Sequence, residues 1–234
     1  MNINEIKVIA FDADDTLWEN EQNYQEVELE FCELLKPYAS QEIISQELLL
    51  VEQQNLDLYG FGVKGFMLSL IETLHRITKN QVPSEIISYV INSGKKLIEK
   101  PVVLIDGVSS VLKELKSSYN IVLATKGDLL DQERKLNKSG LLEYFDFIEI
   151  MSDKKEYDYK KLLSKLNVSS HNFLMVGNSM KSDIVPVVNI GGQAIYIPYH
   201  LTWQHERIEN FDSLQYLKIE KIYDILNVLK NEKN

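Results

Sequence analysis

Beyond Pro101 the chain alternates short apolar runs with amphipathic stretches, and this alternation restricts the fold more than any other feature. Ile121-Val-Leu-Ala-Thr125, Phe145–Met151, Phe173–Val176 and Ala194–Ile197 read as strands. A helix opening near Asp106-Gly107 would place Val108, Val111, Leu112 and Leu115 on one face, and further helices are expected near 129–138 and 158–166. Strands that alternate with helices imply a parallel sheet covered by helices on both faces, an α/β fold. A lone apolar run near the N-terminus, Val8 to Phe11, belongs to the same sheet as a strand over 7–12.

Between that strand and Pro101 the texture is helical. Tyr24, Val27, Phe31, Leu34 and Leu35 recur at helical spacing, as do Met67, Leu70, Ile71, Leu74 and Ile77, and then Ile87, Val90, Ile91 and Ile98. Pro37, the Gly60–Gly65 stretch and Pro83 divide this block into about four helices, with Ser84 as the expected cap of the last. Residues 18–101 therefore read as an α-helical insertion into a core made of residues 1–17 and 102–234. Cys32, the single cysteine, falls on an apolar helix face and reads as a buried core thiol. The tail Lys-Asn-Glu-Lys-Asn reads as frayed.

The strand ends carry the chemistry, because sites in open α/β sheets lie beyond the carboxyl ends of their strands. The first strand stops at Asp12-Ala-Asp14-Asp15. Asp12 and Asp14 point the same way from extended chain, and two such carboxylates repel unless a proton or a cation lies between them. A hard, oxygen-seeking cation, Mg²⁺ above all, answers that need. The second strand ends in Thr125-Lys126-Gly127-Asp128, the third is followed by Ser152-Asp-Lys154-Lys155, and the fourth ends in Gly177-Asn178-Ser179 with Asp183 a turn later.

Phosphoryl transfer gives each group a role. Asp12 can attack phosphorus and form an aspartyl-phosphate. Asp14 can protonate the leaving alkoxide and later deprotonate the attacking water. Thr125 and Lys154 can hold the phosphoryl oxygens, and Lys126 is either a surface charge or a further phosphate contact. Asp183, with Asp12 and the backbone carbonyl of Asp14, can complete a metal site.

These residues resemble the four motifs of the haloacid dehalogenase superfamily, subfamily I, with an α-helical type-1 cap: Asp12-Ala-Asp14-Asp15-Thr16-Leu17, Thr125, Lys154, and Gly177-Asn178-Ser179 with Asp183. The resemblance covers nearly the whole chain. It implies a Rossmann-like core, an inserted helical cap, Mg²⁺ and an aspartyl-phosphate intermediate. Two positions depart from the usual pattern. Asp15 stands where the family usually has Gly, either capping the next turn or extending the acidic field. Asn178 stands where Asp is frequent, keeping an oxygen for an indirect contact with the metal but giving no charge.

A chain of 234 residues with net charge −10 and 44% apolar residues has enough core to fold and shows no basic patch for nucleic acid. The N-terminus shows no signal peptide and no apolar stretch is long enough for a bilayer, so the expected setting is the cytoplasm, with no membrane partner. Lys155, Lys160 and Lys161 compete with Lys154 for the phosphate. Phe61 and Lys64, in the glycine-rich loop of the insertion, are candidates to meet the leaving group. His200, Trp203 and His205 read as packing and a surface loop, His75 and His171 as structural, and Trp18 and Tyr24 as packing near the entrance. The expected function is a Mg²⁺-dependent phosphatase of a small phosphorylated metabolite. A phosphosugar mutase, a 2-haloacid dehalogenase and a non-catalytic binding protein are the rivals.

Overall fold

A computed structural model describes residues 3–208 and 216–231. The chain runs through β1 (Val8–Phe11), α1 (Glu21–Leu35), α2 (Gln41–Tyr59), α3 (Val63–Ile77) and α4 (Ser84–Glu99). It continues through α5 (Val108–Leu115), β2 (Asn120–Lys126), α6 (Leu129–Ser139), β3 (Phe147–Met151), α7 (Glu156–Leu166) and β4 (Phe173–Gly177). A π-helical turn at Met180–Ile184 leads into α8 (Val185–Asn189), β5 (Gln193–Tyr196), β6 (Tyr216–Lys218) and α9 (Asp224–Asn231). Six parallel strands lie in the order β3-β2-β1-β4-β5-β6.

The period of two along each strand divides the core. Ile9 and Phe11 of β1 face one side with Leu123, Leu174, Val176 and Ile195, and there α5, α6 and α9 supply Val111, Leu112, Leu136 and Ile225. Val8 and Ala10 face the other side with Val122, Ala124 and Met175, against Tyr159, Leu162 and Val187 of α7 and α8. β1 and β4 are buried at every position, as central parallel strands must be.

Helices α1–α4 pack around their own apolar cluster of Phe31, Leu35, Ile44, Leu48, Phe66, Leu70, Leu74 and Val90. Cys32 lies within it, 1% exposed. Pro83, not Ser84, occupies the N-cap of α4; Ser84 is its first helical residue, so its hydroxyl does not cap. Strand β6 and helix α9 had no counterpart among the expected elements. β6 has three residues, too few for a periodic signal, while Asn231 closes α9 and residues 232–234 of the tail lie outside the described residues.

Candidate active site

The backbone of β1 ends by handing Asp12 N–H to the Val176 carbonyl of β4, which places the carboxylate at the sheet's carboxyl edge. Leu17 N–H then bonds back to Ala13, turning the chain tightly through the acidic residues. Asp15 adopts φ 62°, a left-handed conformation that glycine takes without cost. Its carboxylate compensates by accepting the N–H groups of Asn20 and Glu21 at 2.8 and 3.1 Å, capping the start of α1. Burial, reinforced by the charge of Asp14, pushes the Asp15 carboxyl up to about 8 despite those two N–H donors. Of the two expected uses of Asp15, the structure displays the cap.

Lys154 is 2% exposed and bridges Asp12 and Asp183: its ammonium touches Asp12 Oδ1 and lies 2.7 Å from Asp183 Oδ1. Burial works against that charge, but the two carboxylates more than offset it and hold the ammonium above its ordinary range. Burial acts most strongly on Asp12 as well, Lys154 opposes it, and Asp183 adds repulsion, leaving the carboxyl near 7. Lys155, by contrast, is an exposed partner of Asp153.

Asp183 enters from the π-helical turn and accepts Ser179 N–H at 2.9 Å. Gly177 makes room for it: a Cβ there would stand 2.2 Å from Asp183 Oδ2. Asn178 satisfies its surroundings with its amide nitrogen 3.2 Å from both the Asp14 carbonyl and Asp12 Oδ2, and 3.3 Å from Thr16 Oγ1. An electropositive amide group among these oxygens marks where they converge. Among the described residues no three His, Cys, Asp or Glu side chains gather into a metal cluster. The Asp14 carboxylate is instead taken up by Lys135, Gln132 and Trp18. A Mg²⁺ ion, which keeps several waters, needs only one or two carboxylates. The Asp12 and Asp183 carboxylates with the Asp14 carbonyl fit that requirement.

Asp14 is held by groups the sequence did not single out for the site. Lys135 of α6 reaches its two oxygens at 2.6 and 2.7 Å, Gln132 donates to Oδ2 at 2.8 Å, and Trp18 Nε1 donates to Oδ1 at 2.7 Å. Trp18 is thus core packing with a polar edge on the site. Thr125 is 1% exposed at the end of β2, and its hydroxyl makes only a long 3.5 Å bond to the Lys126 carbonyl.

These groups share a cavity, with about 190 Å³ of free space, between the sheet edge and the helical block. Asp12, Asp14, Thr125, Lys126, Lys154, Asn178 and Asp183 line it from the core side, and Tyr24, Glu52, Phe61 and Phe66 from the block. Gly60 and Gly62, at φ 70° and 102°, swing the chain so that Phe61 turns inward. Lys64, one turn on, does not line the cavity; it is 63% exposed and pairs with Asp128 at 2.7 Å. The expectation that Lys64 meets the leaving group is therefore corrected.

Lys126 stands over the Phe61 ring at 4.0 Å and donates to Ser182 at 2.9 Å and to Glu206. Burial would raise the Glu206 carboxyl, but Lys126, Ser179 and Ser182 more than offset this and hold it near 2. The segment after β5 is not mere surface. Trp203 and Glu206 line the cavity, Trp203 stacks edge-on to Phe61 and donates to Glu52 at 3.3 Å, and His205 packs beside them. His75 and His171 are exposed and bond only to neighbouring loop side chains.

A parallel sheet with a buried carboxylate beyond its first strand, a lysine bridging it to a second carboxylate, and a helical block over both defines a class of hydrolase. The chain belongs to the haloacid dehalogenase-like hydrolase family, whose profile matches residues 6–191. It is similar to a haloacid dehalogenase-like family hydrolase from Xanthomonas campestris, 34% identical, with TM-score 0.87 over 97% of this chain and 93% of that one. It is 27% identical to the glyceraldehyde 3-phosphate phosphatase of Pyrococcus abyssi over 97% of this chain and 95% of that protein. The magnesium-bound structure of the HAD-hydrolase YfnB from Bacillus subtilis shares the fold, at TM-score 0.64 and 16% identity over 96% of this chain and 99% of that one. No helix among the described residues is long and apolar enough to cross a membrane.

Proposed function

We propose that this hydrolase is a cytoplasmic, Mg²⁺-dependent phosphatase of a small phosphorylated metabolite. The observation that carries the reading is the buried Asp12–Lys154–Asp183 triad at the floor of a cavity that also holds a second acid, Asp14. A dehalogenase would use the nucleophile without needing Asp14 or Asp183. The name of the Pyrococcus protein, a phosphatase 27% identical over nearly the whole chain, supports the same choice.

In this mechanism Asp12 attacks phosphorus in line and the bond to the leaving oxygen breaks, with Asp14 giving that oxygen a proton. Water then attacks the phosphorus of the aspartyl-phosphate, the bond from Asp12 to phosphorus breaks to free the carboxylate and release inorganic phosphate, and the water's proton passes to Asp14. Thr125 and Lys154 hold the phosphoryl oxygens through both steps. Lys126, already matched by Glu206, completes the positive wall. Bound at Asp12, Asp183 and the Asp14 carbonyl, Mg²⁺ would neutralise developing charge on the phosphoryl group. Asn178 would steady the oxygens around it.

Residues 18–101 act as the cap over a core of residues 1–17 and 102–234, excluding water while the substrate is held. The cap's share of the wall carries Glu21, Glu28 and Glu52 and no cation. Burial and mutual repulsion push Glu52 up to about 8 and Glu21 to about 7. A second anion on the leaving group would have to lie beside these crowded acids, whereas a hydroxyl or an ammonium can bond to them, so hydroxyl-bearing or amine-bearing leaving groups are preferred.

A panel of phosphorylated metabolites, assayed for inorganic phosphate with Mg²⁺ and with excess chelator, tests the reading. Mg²⁺-dependent phosphate release, faster for an aminoalkyl than for a carboxyalkyl phosphate of equal length, is the expected result. Halide release from 2-haloacids, an isomerised sugar phosphate, or no turnover at all would overturn it.

A further inference from the structure

Helix α6 belongs to the core, yet it is one of the elements to which the helical block is fastened. Its N-cap residue Asp128 pairs with Lys64 of α3 at 2.7 Å. Lys138, in its last turn, donates to the carbonyls of Ile98, Glu99 and Lys100 at 3.1, 3.2 and 3.3 Å, where the chain leaves the block. Lys135 lies one turn earlier on the same face, since residues three apart on a helix are neighbours. It reaches Asn20 Oδ1 at 3.2 Å, where the chain enters the block, and both Asp14 oxygens at 2.6 and 2.7 Å.

Resting on the phosphatase reading above, we propose that Lys135 is the positioning residue for Asp14. It fixes the carboxylate in one rotamer and ties that rotamer, through Asn20, to the entry of the block. Trp18 and Gln132 also bond Asp14, but they are 1% and 3% exposed and serve the core as well: Trp18 lies in the apolar cluster, and Gln132 also donates to the Lys126 carbonyl. Lys135 is the charged member of the trio, and it lines the cavity as Gln132 does. When Asp14 protonates the leaving oxygen through one of its oxygens, Lys135 keeps hold of the other. When Asp14 takes the proton from water, Lys135 keeps the carboxylate directed at that water. Without Lys135 the carboxylate would sample other rotamers and the proton transfers would lose their alignment.

The test is a double-mutant cycle of Lys135→Ala, Asp14→Asn and the pair, measured as kcat/KM for an alkyl phosphate and for p-nitrophenyl phosphate. Asp14→Asn alone is expected to lower turnover of the alkyl phosphate by roughly 10²–10⁴-fold, the usual range for one general acid/base. Lys135→Ala alone should lower it by roughly 10–100-fold, less than loss of the acid itself, because a misaligned carboxylate still transfers protons. The double variant should match Asp14→Asn, because a residue that acts through Asp14 has nothing left to position. Phosphoenzyme formation from p-nitrophenyl phosphate, whose leaving group needs little protonation, should change less, and Lys135→Arg should recover part of the loss. Multiplying losses in the double variant, or equal losses for both substrates, would overturn the role of Lys135 alone. No loss in Asp14→Asn would instead refute the acid/base reading on which it rests.

Discussion

Replacing Lys154 with Met tests whether charge, and not packing, holds the floor of the site together. Lys154 and Asp183 have side chains 1% exposed and Asp12 9%, so solvent cannot take over the ammonium's role. Met keeps most of the stem's volume but leaves two carboxylates facing each other. Breaking a buried pair by removing one partner costs about 3–5 kcal/mol. For a chain of this size each kcal/mol lowers Tm by about 2–4 °C, so a drop of about 6–20 °C is expected near neutral pH. The sign with pH follows from the Asp12 carboxyl. Without the Lys154 ammonium to oppose it, the burial that already raises the Asp12 carboxyl moves it further above its unfolded value in the folded protein. The folded state then binds more protons, and the loss of stability shrinks as pH falls. Thermal unfolding of both proteins at pH 8 and pH 5.5, with and without Mg²⁺, is the assay. The deficit should be largest at pH 8 and smaller at pH 5.5, and Mg²⁺ should reduce it at pH 8. An equal deficit at both pH values, or none, would refute the reasoning.

Two further outcomes follow from the same geometry. Gly177→Ala should cost about 1–3 kcal/mol by overpacking and raise the Mg²⁺ concentration needed for activity, because the new methyl meets a carboxylate fixed by Lys154 and Ser179; wild-type Tm and Mg²⁺ response would refute this. Lys64→Ala should change stability by less than about 1 kcal/mol, as exposed ion pairs do, and leave relative kcat/KM across substrates unchanged; a selective loss for one metabolite would return Lys64 to the site.

Much of the fold was legible because it follows from local periodicity. The two faces of β1 and β4 need alternate residues from several helices, and those helices carry the matching apolar stripes. The strand-end acids and Lys154 were legible because polar groups in those positions have no packing purpose. Lys135 and Gln132 were not, because on α6 they stand among several polar residues beside its apolar Leu136, and only the tertiary fold decides which of them meet Asp14. Trp203 and Glu206 belong to a loop without periodicity, brought to the cavity by Phe61 and Lys126. Lys64 was misread for a related reason. Its loop does reach the site, but the two positive-φ glycines determine which residue enters, and they admit Phe61.

The central claim is that Asp12 carries the phosphoryl group. Acid-quenched single-turnover reactions with p-nitrophenyl phosphate and Mg²⁺, followed by peptide mass spectrometry after borohydride trapping, test it directly. The expected result is a burst of p-nitrophenol with modification confined to Asp12, and neither burst nor modification in Asp12→Asn. Phosphate release with Asp12 unmodified, together with more than a tenth of wild-type turnover in folded Asp12→Asn, would contradict it.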